Sequence, residues 1–156
     1  MSAFPSLESR IGEVVRSVRF SVEPGKISEL ARAMGDSNPL YHDQKAARGA
    51  GFAASPAPAT FTIVAAHFAG GDAMELPRVL GLDLGRVVHG GHGWTFHRLP
   101  IAGDVLAGNT ELKKVERRNN RQGNAMTILT LETQYFHADG SAAVTEQMVM
   151  IELPRH

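Results

Sequence analysis

The stretch Gly35-Asp36-Ser37-Asn38-Pro39-Leu40-Tyr41-His42-Asp43 gathers a carboxylate, an amide, a proline and an imidazole. Imidazole titrates near neutral pH, and a neighbouring carboxylate can orient it and raise its basicity. A loop of this kind can hold an acid/base pair. The same residues also suit a plainer task. Asp36 and Asn38 can bond the local backbone as turn formers while Pro39 fixes the bend.

Other imidazoles carry weaker signals. His89, His92 and His97 lie among Gly90, Gly91 and Gly93, and three imidazoles suffice for a zinc site. On a regular strand, however, His89 and His97 share one face and His92 points to the other. We therefore expect no metal, and read His89 beside Gly90 as lining for a cleft. His67 reads as a buried, hydrogen-bonded residue. Trp94 and Phe96 read as sheet core or interface.

Elements that could position these groups follow from the pattern. Val14–Val22 has strand-like spacing and is broken by Pro24-Gly25. Lys26–Met34 places Ile27, Leu30, Ala31 and Met34 on one helical face, and Gly35 can end that helix. Asn38-Pro39 forces a non-helical loop, after which Asp43 can cap a short helix through Arg48. Thr60–Phe68 follows Pro58 and precedes Gly70-Gly71, which predicts a helix despite its β-branched residues. Gly70, Gly71 and Ala73 are small enough to leave space beside it. The second half differs. Val87–Arg98, Asp104–Val115, Ala125–Phe136 and Ala142–Leu153 each carry β patterning, and Asp139-Gly140 is a hairpin signal. One antiparallel sheet packed around one central helix accounts for this order.

Composition sets the outer bounds. The chain has 156 residues, 43% of them hydrophobic, which predicts a single globular domain over residues 1–156. Sixteen basic residues balance sixteen acidic ones. No global field draws in nucleic acid or an anionic membrane, and neither is expected as a partner. The chain contains no cysteine, which excludes disulfides, thiolate zinc sites and cysteine nucleophiles. Its first residues lack a basic segment followed by an apolar run, and Ala50–Ala69 is a poor membrane span. A soluble, cytoplasmic protein is the expectation.

Gly35-Asp36 through Asn38-Pro39-Leu40, with a following Tyr or His and Asp, resembles the loop of the MaoC-like hydratase/dehydratase family. Ala57-Pro58-Ala59-Thr60-Phe61 is similar to the start of that family's central helix. Val88-His89-Gly90-Gly91, with Phe96-His97-Arg98-Leu99-Pro100, resembles one of its strands. Gly103-Asp104-Val105-Leu106 resembles a strand entry, and Asp139-Gly140 its last hairpin. The likeness runs from Val14 to Leu153 and is nearest to the FAS1-like branch, which includes the subunits that pair in mycobacterial (3R)-hydroxyacyl-carrier-protein dehydratase.

This resemblance implies an α+β hot-dog fold, an antiparallel sheet wrapped around a long central helix. It implies a homodimer, or a heterodimer with a related hot-dog subunit. The implied substrate is an acyl-CoA or acyl-carrier-protein thioester, and no cofactor is implied. The implied reaction is reversible hydration of a trans-2-enoyl thioester to the (R)-3-hydroxyacyl thioester. Asp36 matches the family's catalytic Asp, and Asn38 a residue that orients the site. The N–H of Ala59 or Thr60 would face the thioester oxygen, since Pro58 has none to give. His89 and Gly90 would line the cleft. Arg117-Arg118-Asn119-Asn120-Arg121 reads as a solvated turn in preference to a clamp for CoA phosphates or carrier protein.

One position departs from the pattern. Tyr41 stands where the family's catalytic His belongs, and His42 follows one residue later. An ordinary tyrosine, with a pKa of about 10, is a poor general base at neutral pH. Three readings stay open. His42 replaces the missing His in a complete homodimer, the chain binds acyl chain beside a catalytic partner, or it is a stand-alone acyl-thioester binder. A hot-dog thioesterase is a further rival that fold alone does not separate.

Overall fold

Five antiparallel strands form the sheet: β1 (Val14–Ser21), β2 (Val87–Phe96), β3 (Val105–Asn119), β4 (Ala125–His137) and β5 (Ala142–Glu152). Their spatial order is β1-β3-β4-β5-β2. The three strands β3, β4 and β5 are consecutive hairpin neighbours, and β1 and β2 are the edges. The computed structural model describes residues 5–64, 69, 71–72 and 74–155.

Alternation along the strands decides which face is covered. In β4 the buried residues are Thr127, Leu129, Leu131, Thr133, Tyr135 and His137, every second position. The period of two puts these on one side and leaves the other face to water. The buried side carries two apolar clusters. One gathers Phe20, Ile27, Phe61, Leu106, Tyr135 and Val144. The other gathers Val15, Leu76, Leu80, Leu112, Leu129 and Met150. Burying a side chain of this size stabilises the fold by about 1.5–3 kcal/mol.

The first helix, α1 (Pro24–Ala33), opens with Pro in its first turn and buries Ile27 and Ala31, where the periodicity placed them. Its end is a Schellman motif. Gly35 adopts φ +72°, its N–H reaches the Arg32 carbonyl, and the Asp36 N–H reaches the Ala31 carbonyl at 2.8 Å. The short helix α2 (Gln44–Gly49) is capped by Asp43, whose carboxylate accepts from the Lys45 N–H at 2.7 Å. A third short helix, α3 (Glu75–Val79), buries Leu76 and Pro77 and has no counterpart in the sequence reading.

The helix expected over Thr60–Phe68 is described only in its first part. Phe61–Val64 is a 3-10 turn, a tighter coil that accommodates the β-branched run Thr62-Ile63-Val64. Residues 65–68, and with them His67, lie outside the described residues, as do Gly70 and Ala73. β3 extends to Asn119, beyond the predicted Val115. Among the described residues no helix is long and apolar enough to cross a membrane.

One expectation about strand faces needs correction. β2 contains a register shift between His89 and Gly91. The extra residue resets the alternation, so His89 and His92 stand side by side. Their ring centroids are 5.4 Å apart, and His89 Nε2 lies 3.2 Å from His92 Nδ1. His97 falls beyond β2 and bonds Thr145 instead, at 2.9 Å.

Candidate functional site

The Schellman end of α1 delivers Asp36 into a loop of consecutive side-chain turns. Asp36 Oδ1 accepts from the Asn38 N–H at 2.9 Å. Asn38 Oδ1 accepts from the Leu40 N–H at 3.1 Å and caps the 3-10 turn Pro39–Tyr41. Asp36 and Asn38 therefore both perform the turn-forming task.

His42 comes back to the same place, with its ring held at both nitrogens. Nε2 lies 2.9 Å from the Asp36 backbone carbonyl oxygen. A carbonyl only accepts, so Nε2 carries the hydrogen, and in the neutral ring Nδ1 must then be the acceptor. Its partner is the Ser28 hydroxyl on α1, at 2.8 Å. The loop thus brings Asp36, Asn38 and His42 together, but His42 touches the main chain of Asp36 while the carboxylate holds Asn38. Tyr41, one residue earlier, packs against the first apolar cluster.

The segment after Pro58 forms the next wall. The Phe61 N–H bonds the Pro58 carbonyl at 2.9 Å. Among the described residues, the N–H groups of Ala59 and Thr60 have no hydrogen-bond partner. They are available to an acceptor such as a carbonyl oxygen. The Thr60 hydroxyl lies 3.6 Å from the sulfur of Met34, at the end of α1, which ties this segment to the loop. Thr62 faces the sheet and accepts from Trp94 Nε1 at 2.9 Å.

Farther along the buried face lies a cavity of about 410 Å³, a size typical of small-molecule sites. Ile63, Leu76, Met148 and Met150 give it apolar walls, while His89, His92, Glu146 and Arg16 interrupt them. His92 stacks on Trp94, with centroids 4.4 Å apart and planes 9° from parallel. Gly90 does not line the cavity. A Cβ there would come within 2.9 Å of Val149 and Ile151, so this glycine lets β2 lie close against β5. Among the described residues, no group of three His, Asp or Glu side chains is placed to hold a metal ion.

Residues 9–146 match the model of the FAS1-like, dehydratase domain region. The chain belongs to this family. A UPF0336 protein of Clavibacter michiganensis is 33% identical over 156 residues, covering 97% of this chain and 96% of that one. Among solved structures, a MaoC-like dehydratase superposes with a TM-score of 0.77 at 25% identity, over 96% of this chain and 44% of that one. The C-terminally truncated HadBC (3R-hydroxyacyl-ACP dehydratase) complex of Mycobacterium tuberculosis superposes with a TM-score of 0.72 at 22% identity, over 91% and 96%. The fold of this FAS1-like dehydratase-region chain is thus the α+β hot-dog fold, and its family is one of dehydratases and hydratases.

Two charged members of the FAS1-like chain's buried face were absent from the sequence reading. Glu146 occupies the same alternation as Val144, Met148 and Met150 in β5. A carboxylate at an inward position of an apolar strand was the available signal. Arg16 sits at an inward position of β1 in the same way, but the register shift between Val14 and Arg16 hides it from a simple count. The segment read as a basic turn lies mostly in β3, where Arg117 pairs with Glu8 and Arg118 with Glu116; the turn itself is closed by Asn120, which accepts from the Gln122 and Asn124 N–H groups.

Proposed function

We propose that this chain is the acyl-thioester-binding subunit of an enoyl-thioester hydratase/dehydratase, completed by a related hot-dog subunit that carries the missing histidine. The observation that carries this reading is the state of His42. Both ring nitrogens are engaged, by Ser28 and by the Asp36 carbonyl, so neither is free to take a proton from water. Tyr41, at the family's histidine position, is half-buried and packs against the first apolar cluster.

In this reading the thioester oxygen sits at the free N–H groups of Ala59 and Thr60. Charge builds on that oxygen as water adds to C3 and a proton arrives at C2, and these donors stabilise it. Asn38 and Tyr41 shape the entrance, with His89 farther along. The substrate is a trans-2-enoyl or (R)-3-hydroxyacyl thioester of CoA or a carrier protein, and the work is done in the cytoplasm. The partner pairs along β2, an edge strand of ten residues whose Val88 and Phe96 are exposed at 41% and 39%. A bare apolar edge is a ready template for another strand.

A second reading has one observation in its favour. Asp36 and His42 already meet within one turn. A shift of the His42 ring off the carbonyl would free Nε2 beside the carboxylate and make a homodimer self-sufficient, with Asp36 and His42 as its acid/base pair.

Hydration of crotonyl-CoA, followed as loss of enoyl absorbance, separates the two. The paired reading expects no turnover by the purified chain alone, retained acyl-CoA binding, and turnover once a related subunit with His at the Tyr41 position is added. Turnover by the chain alone, abolished by both Asp36→Asn and His42→Ala, would establish the second reading and discard the first.

A further inference from the structure

Arg16 and Glu146, both in the cavity wall, belong to one ordered row across the sheet. Arg16 on β1 stands opposite Thr110 on β3, and Thr110 opposite Thr133 on β4. Thr133 stands opposite Glu146 on β5, and Glu146 opposite Trp94 on β2. One rung of the buried face is therefore polar across all five strands. The two threonines satisfy each other, with their hydroxyls 2.8 Å apart.

Trp94, at one end of the row, is bonded to Thr62, but among the described residues Arg16 and Glu146, with His92 beside them, keep unsatisfied side-chain atoms. His92 Nε2 and Glu146 Oε1 are 2.9 Å apart, with side chains 9% and 5% exposed. The contact is off the hydrogen-bonding direction of the ring. Among the described residues, His92 Nε2, Glu146 Oε2, Arg16 Nε and the Tyr135 hydroxyl all lack a hydrogen-bond partner although buried. Burial first, and the Glu146 charge second, push the Tyr135 hydroxyl above its ordinary pKa, with Arg16 opposing. Buried polar groups without partners are costly. Several of them converging at an apolar cavity are a feature of a ligand site.

The chemistry of the row selects the ligand. Glu146 repels an anionic group and Arg16 repels a cationic one. A neutral hydroxyl both donates and accepts, so it can serve an acceptor and a donor at once. We propose that this cavity receives an acyl chain bearing a hydroxyl group along its length, donating to Glu146 Oε2 and accepting from His92 or Arg16. The proposal rests on the acyl-thioester reading above. Thr60, at the proposed thioester end, and Ile63, in the cavity wall, are separated by about 6 Å of 3-10 turn. The hydroxyl proposed here stands on the acyl chain beyond C3, at the position that the isomer panel identifies.

Trp94 is the single tryptophan of the chain. It is stacked on His92 and bonded to Thr62, so its fluorescence reports directly on this wall. The experiment titrates the full chain with lauroyl-CoA and with its ω-hydroxy and mid-chain hydroxy derivatives. At least one hydroxylated isomer is expected to bind about tenfold or more tighter than lauroyl-CoA. Glu146→Leu should erase or reverse that preference, and the isosteric Glu146→Gln should reduce it. The wild-type ratio alone decides the matter should the leucine variant fail to fold. Equal binding of all chains would overturn the hydroxyl proposal and leave acyl-thioester binding standing, with solvent serving the row. Absence of any binding would overturn both.

Discussion

The ring of Tyr135 on β4 lies directly over Gly108 on β3, its cross-strand partner. A Cβ at Gly108 would stand 2.5 Å from Tyr135 Cδ1 and 2.6 Å from Cε1. The ring is 1% exposed and meets Phe20 edge-on, with centroids 6.0 Å apart and planes at 81°. A large aromatic therefore fits the middle of a crowded sheet because the neighbouring strand gives up its side chain.

Gly108→Ala should force that ring aside and cost about 1–3 kcal/mol. Gly91 on β2 is the control, since a Cβ there meets nothing within 4 Å. Gly91→Ala should stay within about 0.5 kcal/mol of wild type. Urea denaturation of the two variants checks this, and equal stabilities would mean that the contact carries no energy.

Thr110 and Thr133 are 0% and 4% exposed and bond each other across β3 and β4. Thr133→Val leaves the Thr110 hydroxyl buried without that partner, at a cost of about 1–3 kcal/mol. The double variant with Thr110→Val as well removes both polar groups and should recover much of the loss. The signature is strong non-additivity in a double-mutant cycle. Simple addition of the two single effects would show the hydroxyls to be uncoupled.

Asp139 holds the β4–β5 hairpin. Its Oδ1 accepts from the Ser141 hydroxyl at 2.7 Å and the Ser141 N–H at 2.9 Å, and its Oδ2 pairs with Arg98 at 2.8 Å. The Ser141 hydroxyl first, and the Arg98 guanidinium next, hold this carboxyl well below the usual carboxylate range. A carboxyl depressed in the folded state stabilises the fold above its unfolded-state pKa of about 3.9. That contribution declines as pH falls toward the lower folded-state value. The stability gap between wild type and Asp139→Ala should be constant from neutral pH to about 4 and narrow below it. Urea midpoints measured across this range decide it, and a gap that shrinks near neutral pH would assign the effect to another group.

Much of the fold was legible in the sequence because its signals are local. The period of two in Ala125–Phe136 and Ala142–Leu153 needs only neighbours to be read, and the strands appear where it placed them. The helical face of Ile27 and Ala31, the stop at Gly35 and the cap at Asp43 are equally local. The loop of Asp36, Asn38 and His42 was legible as a cluster for the same reason, since all three lie within one turn of chain.

What the tertiary structure alone decided is how distant residues share their bonds. Nothing local tells that His42 meets Ser28, from an earlier helix, and the Asp36 carbonyl. A single register shift in β2 turns His89 toward His92, because one inserted residue reverses a period of two. The polar rung from Arg16 to Trp94 exists only through the register of five strands. The sequence by itself determined most of the strands, the end of α1 and the β4–β5 turn, because those are set by neighbours along the chain. The pairing of strands decided which side chains face one another, because register depends on contacts between segments far apart in sequence.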